Sequence, residues 1–284
     1  MPIVLVTDST AELAPERVAE LGVTVVPLLV VIGDECFEEG APEATPEAIA
    51  AALRDKRPVT TSRAAPAVFA ETYRRLAAEG ATGILSLHVS GEVSGTVESA
   101  TLGARDAGVE VRCLDTRQIG PATGFALEAA AAVLAAGGRL DEAEEAARRR
   151  ADATTTLLYV DSLEYLRRGG RVGGAAAVVG GVLAVKPLLT IRDGEVVPVA
   201  KVRTAARAIS RMEALAVEAA GDGPVEVVVA HLDAEERAGE LAERIAERLG
   251  DRLVAPVRCR ELGAVLGAHV GPGMLAVCIA PVIG

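Results

Sequence analysis

Along the first half of the chain, short apolar runs alternate with amphipathic stretches. IVLVT at 3–7, TGILSLHV at 82–89 and VEVRCLDT at 109–116 are strand-length runs. Between them, residues 15–22, 45–56, 66–80 and 94–108 carry helical spacing, and two further helices fall near 121–137 and 141–153. Gly22 and Gly80 close two of these helices, and Thr45 followed by Pro46 opens another as a cap and first helical residue. VTVVPLLVVIG at 23–33 reads as one extended segment with Pro27 inside it. Strands alternating with helices predict a parallel sheet covered by helices.

The second half has a different pattern. LLYVDS is a strand, SLEYLRRGG a short helix, and residues 172–185 are small and apolar. LLTIRDGEVVPVAKVR reads as a hairpin whose arms join at Asp193-Gly194, a strong two-residue turn signal. A helix at 204–220, a strand at 225–232, a helix at 234–249 and a last helix and strand follow. An antiparallel hairpin among helices predicts a mixed sheet. The fold class is therefore α/β with two domains. The first, 1–158, has an N-terminal parallel sheet with flanking helices; the second, 159–284, is a C-terminal mixed α/β sheet domain.

Composition narrows the function. Half of the residues are hydrophobic but only 2% are aromatic, so the core is built from Ala, Val, Leu and Ile. A net charge of −11 disfavours nucleic acid and anionic headgroups as main partners. Cys36, Cys113, Cys259 and Cys278 form no CxxC pair and no zinc spacing, and read as reduced core thiols of a cytoplasmic protein. MPIVLVTDS enters a strand with no basic leader, so no signal peptide is expected. Residues 262–284 carry no Asp, Glu, Lys or Arg, yet Gly271-Pro272-Gly273 breaks them at the centre. They read as a helix, a turn and a buried strand, with no membrane span.

Four places carry candidate chemistry. Gly91-Glu92-Val93-Ser94-Gly95 is one residue out of register for a nucleophile elbow, and it lacks the lysine of a nucleotide loop. What is left is either a helix start that attracts an anion or ordinary capping by Ser94. Thr60-Thr61-Ser62 precedes a helix and poses the same choice. So does Thr7-Asp8-Ser9-Thr10, at the carboxyl end of a parallel strand, where ligands tend to bind. Arg167-Arg168-Gly169-Gly170-Arg171 is a cationic turn, read either as a solvated helix end or as a grip on an anion or an acidic partner. His269, between Gly267 and Gly271, has glycines on both sides, and an imidazole titrating near neutrality suits a carboxylate.

Taken together, eight segments in order resemble the DegV family. They are VTDSTAEL, VTVVPLLV, TTSRAAP, SGEVSGTVESA, LEYLRRGGRV, VKPLLTIRDGEV, KVRTAARAI and GAHVGPGMLAV. That family comprises bacterial fatty-acid-binding proteins and includes the FakB subunits of fatty acid kinase. The resemblance implies a DegV-like α/β fold with a long-chain fatty acid held between two domains. It implies carboxylate contacts from Thr61, Ser62, Ser94, Gly95 and His269 and no catalytic residue; the four scattered cysteines and the lack of a metal motif lead us to expect no metal or cofactor. It also implies a separate DAK-type kinase subunit that phosphorylates the bound acid to an acyl phosphate, with Arg171 as the docking or activity feature. Arg63 and Ala64 stand where the family has Gln-Pro, and Gly91 and Gly120 stand where serine is common. A 16-carbon tail buried at roughly 0.8 kcal/mol per methylene would supply most of the affinity. The alternatives are an acyl hydrolase or small-molecule kinase using Ser94 and His269, and a regulatory protein for which lipid is only a structural filler.

Overall fold

A computed structural model describes residues 2–174 and 186–283; of the small apolar run, 175–185 lie outside the described residues. The chain begins with β1 (Ile3–Asp8), α1 (Pro15–Leu21) and β2 (Thr24–Val26), then β3 (Leu29–Ile32) and β4 (Glu35–Glu38). Pro27 has no N–H to give a ladder, so the predicted single extended segment is two strands, β2 and β3. Next come α2 (Pro46–Arg54) and β5 (Val59–Ser62). Thr45 caps α2 as expected, its Oγ1 accepting from Ala48 N at 3.2 Å. The series α3 (Pro66–Ala78), β6 (Gly83–His88), α4 (Thr96–Ala104), β7 (Glu110–Asp115), α5 (Pro121–Ala135) and α6 (Leu140–Ala153) follows the predicted alternation.

The second half holds β8 (Thr155–Tyr159), α7 (Glu164–Arg168), β9 (Lys186–Arg192), β10 (Glu195–Val202) and α8 (Ala205–Ala220). It ends with β11 (Val225–His231), α9 (Glu235–Leu249), β12 (Arg258–Glu261), α10 (Ala264–Val270) and β13 (Leu275–Pro281). The uncharged 262–284 segment is thus the predicted helix, turn and strand. Among the described residues, no helix is long and apolar enough to cross a membrane.

The chain divides into two compact units, Met1–Leu29 with Ser62–Asp152, and Val30–Thr61 with Ala153–Gly284. The sequence suggested one boundary at 158; the last crossing falls at 152/153, and the segment 30–61 joins the second unit.

The first unit is a parallel sheet of order β2-β1-β6-β7. All six residues of β6 are buried, as a central parallel strand requires. Leu5, Leu85, Leu87 and Leu114 pack against the alanine-rich faces of α5 and α6. The second unit is a mixed sheet of order β10-β9-β8-β13-β11-β12, in which only β11 and β12 are parallel neighbours. Asp193 and Gly194 have φ of 53° and 84°, the geometry that lets a two-residue turn match strand twist. Met212, Leu241 and Ile245 of α8 and α9 cover Tyr159, Leu188, Val229 and Val277. A small sheet of order β4-β3-β5 completes the set.

One expectation about the cysteines fails. All four are free thiols, but Cys36 and Cys259 are exposed, because β4 and β12 lie at sheet edges. Of the four, only Cys278 is fully buried.

Candidate functional site

Thr61 is the penultimate residue of β5, and His269 sits in the last turn of α10. Although 208 positions apart, their Oγ1 and Nε2 atoms lie 2.8 Å from each other. Glycines make room for this pair. A Cβ on Gly169 would lie 2.2 Å from His269 Nδ1, and one on Gly271 would lie 2.1 Å from the Tyr165 ring. Gly271 also has φ of 76°, which ends α10 in a conformation that favours glycine. Gly267 lets α10 approach Leu232 and Ile49.

A cavity of about 250 Å³ opens here, within the second unit. Leu53, Val59, Thr60 and Thr61 form one part of its lining, and Tyr165, Arg168, Arg171, Ala268 and His269 form another. The cationic turn enters as a helix cap. Arg171 N bonds Leu166 O at 2.9 Å and Gly170 N bonds Arg167 O at 3.1 Å, with Gly170 at φ 73°. This is the Schellman pattern. It turns the chain so that Arg171 Nη1 donates to Gly169 O at 2.6 Å beside the imidazole.

Burial, and then the Arg171 cation, push the His269 pKa down to about 4. The imidazole is therefore neutral at pH 7, which corrects the expectation of a group titrating near neutrality. Its Nδ1 is buried and makes no hydrogen bond among the described residues. A neutral imidazole can still donate or accept one bond at Nε2, but the positive charge nearby belongs to Arg171.

Ser62, Ser94 and Gly95 belong to the first unit. The capping readings are corrected here. The residue preceding α4 is Gly95, and no side chain caps it; Ser94 Oγ instead lies 2.8 Å from Thr96 Oγ1. Likewise Ala65, not a hydroxyl residue, precedes α3, and Thr60-Thr61-Ser62 lie in β5. Ser62 is exposed, its Oγ donating to Arg63 O at 3.3 Å. Arg63 Nη1 donates to Gly95 O at 3.0 Å and to Glu98 Oε2 at 2.7 Å, so this departure from Gln-Pro pins the start of α4. The first backbone N–H groups of α4 have no intrahelical acceptor, a setting suited to an anion.

Sequence reasoning missed a buried polar chain in the same unit. Asp8 Oδ2 accepts from Val89 N at 3.2 Å and lies 2.9 Å from His88 Nδ1. His88 Nε2 lies 2.7 Å from Ser86 Oγ, which accepts from Tyr73 OH at 2.8 Å. Burial pushes the Asp8 carboxyl up, but the hydrogen bond and charge of His88, with bonds from Thr10 and Val89, outweigh it and hold it below its usual value. Asp8 does cap the short helical turn after β1, accepting from Thr10 N at 3.1 Å. Among the described residues, no group of three or more His, Cys, Asp or Glu side chains is placed to hold a metal ion.

A parallel-sheet unit, a mixed-sheet unit and a small pocket built on a hydroxyl–imidazole pair define the class as a two-unit α/β protein. Residues 2–282 match the family described as "Uncharacterised protein, DegV family". The chain belongs to the DegV family. It is 50% identical over 277 residues to a DegV domain-containing protein of Streptomyces coelicolor, with 98% of each chain covered. It superposes on a fatty-acid-binding DegV family protein from Thermus thermophilus with a TM-score of 0.92 at 32% identity, covering 99% of this chain and 100% of that one. A similar match holds to DegV of Bacillus subtilis, a fatty acid binding protein, with a TM-score of 0.90 at 28% identity and the same coverage.

Proposed function

We propose that this chain binds a long-chain fatty acid and presents its carboxylate to a separate DAK-type kinase subunit, which makes the acyl phosphate. The observation that carries the reading is the Thr61–His269 pair, a hydroxyl 2.8 Å from a neutral imidazole on the wall of a pocket that also holds Arg171. The fatty acids bound by the Thermus thermophilus and Bacillus subtilis relatives support it. We assign Thr61 and His269 to the carboxylate: with Nε2–H of the neutral imidazole donating to Thr61 Oγ1, the Thr61 hydroxyl keeps its own proton to donate to the ligand, and we assign Ser62, Ser94 and Gly95 to the same ligand on the family resemblance. Arg171 is the feature we assign to kinase docking or to activity on the bound head group. The chain itself carries no catalytic role in this reading, and an ATP-using partner implies a cytoplasmic setting.

Mass spectrometry of organic extracts of the purified protein tests the reading directly. Finding no fatty acid, together with no binding of added palmitate, sinks it. Replacing both Thr61 and Ser94 by Ala is expected to reduce fatty acid retention; unchanged retention would mean the carboxylate is held elsewhere. Turnover of acyl esters or ATP by the isolated chain would favour an enzyme instead, with Ser94 and His269 as its first suspects.

A further inference from the structure

We infer that Glu39 is a positioning residue for His269: from the turn after β4, its carboxylate holds the first turn of α10 and so fixes the imidazole opposite Thr61. Glu39 Oε1 accepts from Val265 N at 2.6 Å, across 226 positions of sequence. Gly263 precedes α10 and offers no side-chain acceptor, so a carboxylate from a distant loop takes the place of a cap. A negative charge at a helix start is doubly favoured, by the charge-assisted hydrogen bond and by the helix dipole.

The length of α10 makes this contact consequential. Seven residues are too few for a helix to hold its own geometry without tertiary support. Val265 and His269 are four residues apart, one turn or about 6 Å along the axis. A shift at the first turn therefore passes to the imidazole with little to absorb it. The segment 30–61 carries both ends of the arrangement, Glu39 beyond β4 and Thr61 in β5. Between them, Ile49 of α2 packs near Gly267 of α10, and Arg54 pairs with Asp233. One segment thus supplies the hydroxyl and also sets the imidazole that the hydroxyl meets.

What the pair does for a ligand rests on the fatty-acid reading; the positioning is read on the protein without ligand. The test is the imidazole ¹⁵N spectrum of ¹⁵N-histidine-labelled full chain. Glu39→Ala is expected to move the His269 signals and to weaken palmitate binding about tenfold. Glu39→Gln keeps an acceptor and is expected to restore both, while Glu38→Ala, at an exposed neighbour, should change neither. Should Glu39→Ala fail to fold, Glu39→Asp, one methylene too short, is expected to shift His269 where Glu39→Gln does not. His269 signals that coincide with wild type in Glu39→Ala, or in Glu39→Asp where that variant decides, would overturn the assignment. Absence of palmitate binding by the wild-type protein, together with the expected His269 shifts in the Glu39 variants, would overturn the fatty-acid reading alone.

Discussion

Thr61 Oγ1 and His269 Nε2 form a 2.8 Å contact between a strand end and a helix end that the sequence keeps 208 positions apart. Thr61→Val keeps the shape of the side chain and removes the hydroxyl. Palmitate affinity should fall about tenfold while the urea midpoint barely moves, since the lost bond is at a half-buried site. Titration with a fluorescent fatty acid, alongside urea unfolding, separates the two effects.

His269 also predicts how stability depends on pH. Its pKa is about 4 in the folded chain against an ordinary 6.5. Between those values the unfolded chain binds a proton that the folded one does not. Stability contributed here is therefore complete above 6.5 and declines as pH falls toward 4, by about 3 kcal/mol at most. His269→Gln should flatten that part of the profile, measured as urea midpoints at pH 7.5 and 4.5. An unchanged pH slope would show that the imidazole is not buried as described.

Gly169→Ala tests the space around the ring. The backbone there is ordinary, with φ of −75°, so the cost is the collision of Cβ with Nδ1 at 2.2 Å. The imidazole should swing away from Thr61, costing palmitate affinity more than stability. Gly271→Ala meets both a positive φ and the Tyr165 ring, and should destabilise the fold by about 1–3 kcal/mol. Thermal unfolding of the two variants would rank them in that order.

Asp8→Asn removes the charge from a fully buried chain of hydrogen bonds. Leaving a buried hydrogen-bonding group of this chain poorly satisfied costs about 1–3 kcal/mol, read as a urea midpoint shift at pH 7. Because the Asp8 carboxyl is held below its ordinary 3.8, its contribution is present above that value and is lost as pH falls through the lower folded one. Acid unfolding of the variant should be correspondingly less steep.

Much of the architecture was legible because local chemistry announced it. Thr45-Pro46 opened α2, Asp193-Gly194 joined β9 to β10, and Gly271-Pro272-Gly273 separated α10 from β13. The small β4-β3-β5 sheet was not legible. Pro27 concealed the break between β2 and β3, and hydroxyls in β5 looked like caps for the helix beyond them. Thr61 and His269 were recognisable as candidates, yet their contact depends on tertiary placement. Ser86 and His88 share a face by strand period, but their link to Asp8 depends on the register of β6 against β1, where Thr7 lies opposite Leu87. Glu39 gave no signal at all, since an acid beside Glu38 reads as solvated surface.

β13, the last strand in the sequence, lies in the middle of its sheet, between β8 and β11. During synthesis the first unit has all its residues once Asp152 has been made, whereas β8 and β11 wait with unpaired edges for a strand still to be translated. The same delay applies to the pocket, because Thr61 emerges long before His269. A chain cut short by even its final twenty residues would lose the middle of the second sheet. It would expose two strand edges of the kind that promote aggregation and proteolysis. The position of β13 thus makes its synthesis a condition for covering the facing edges of β8 and β11.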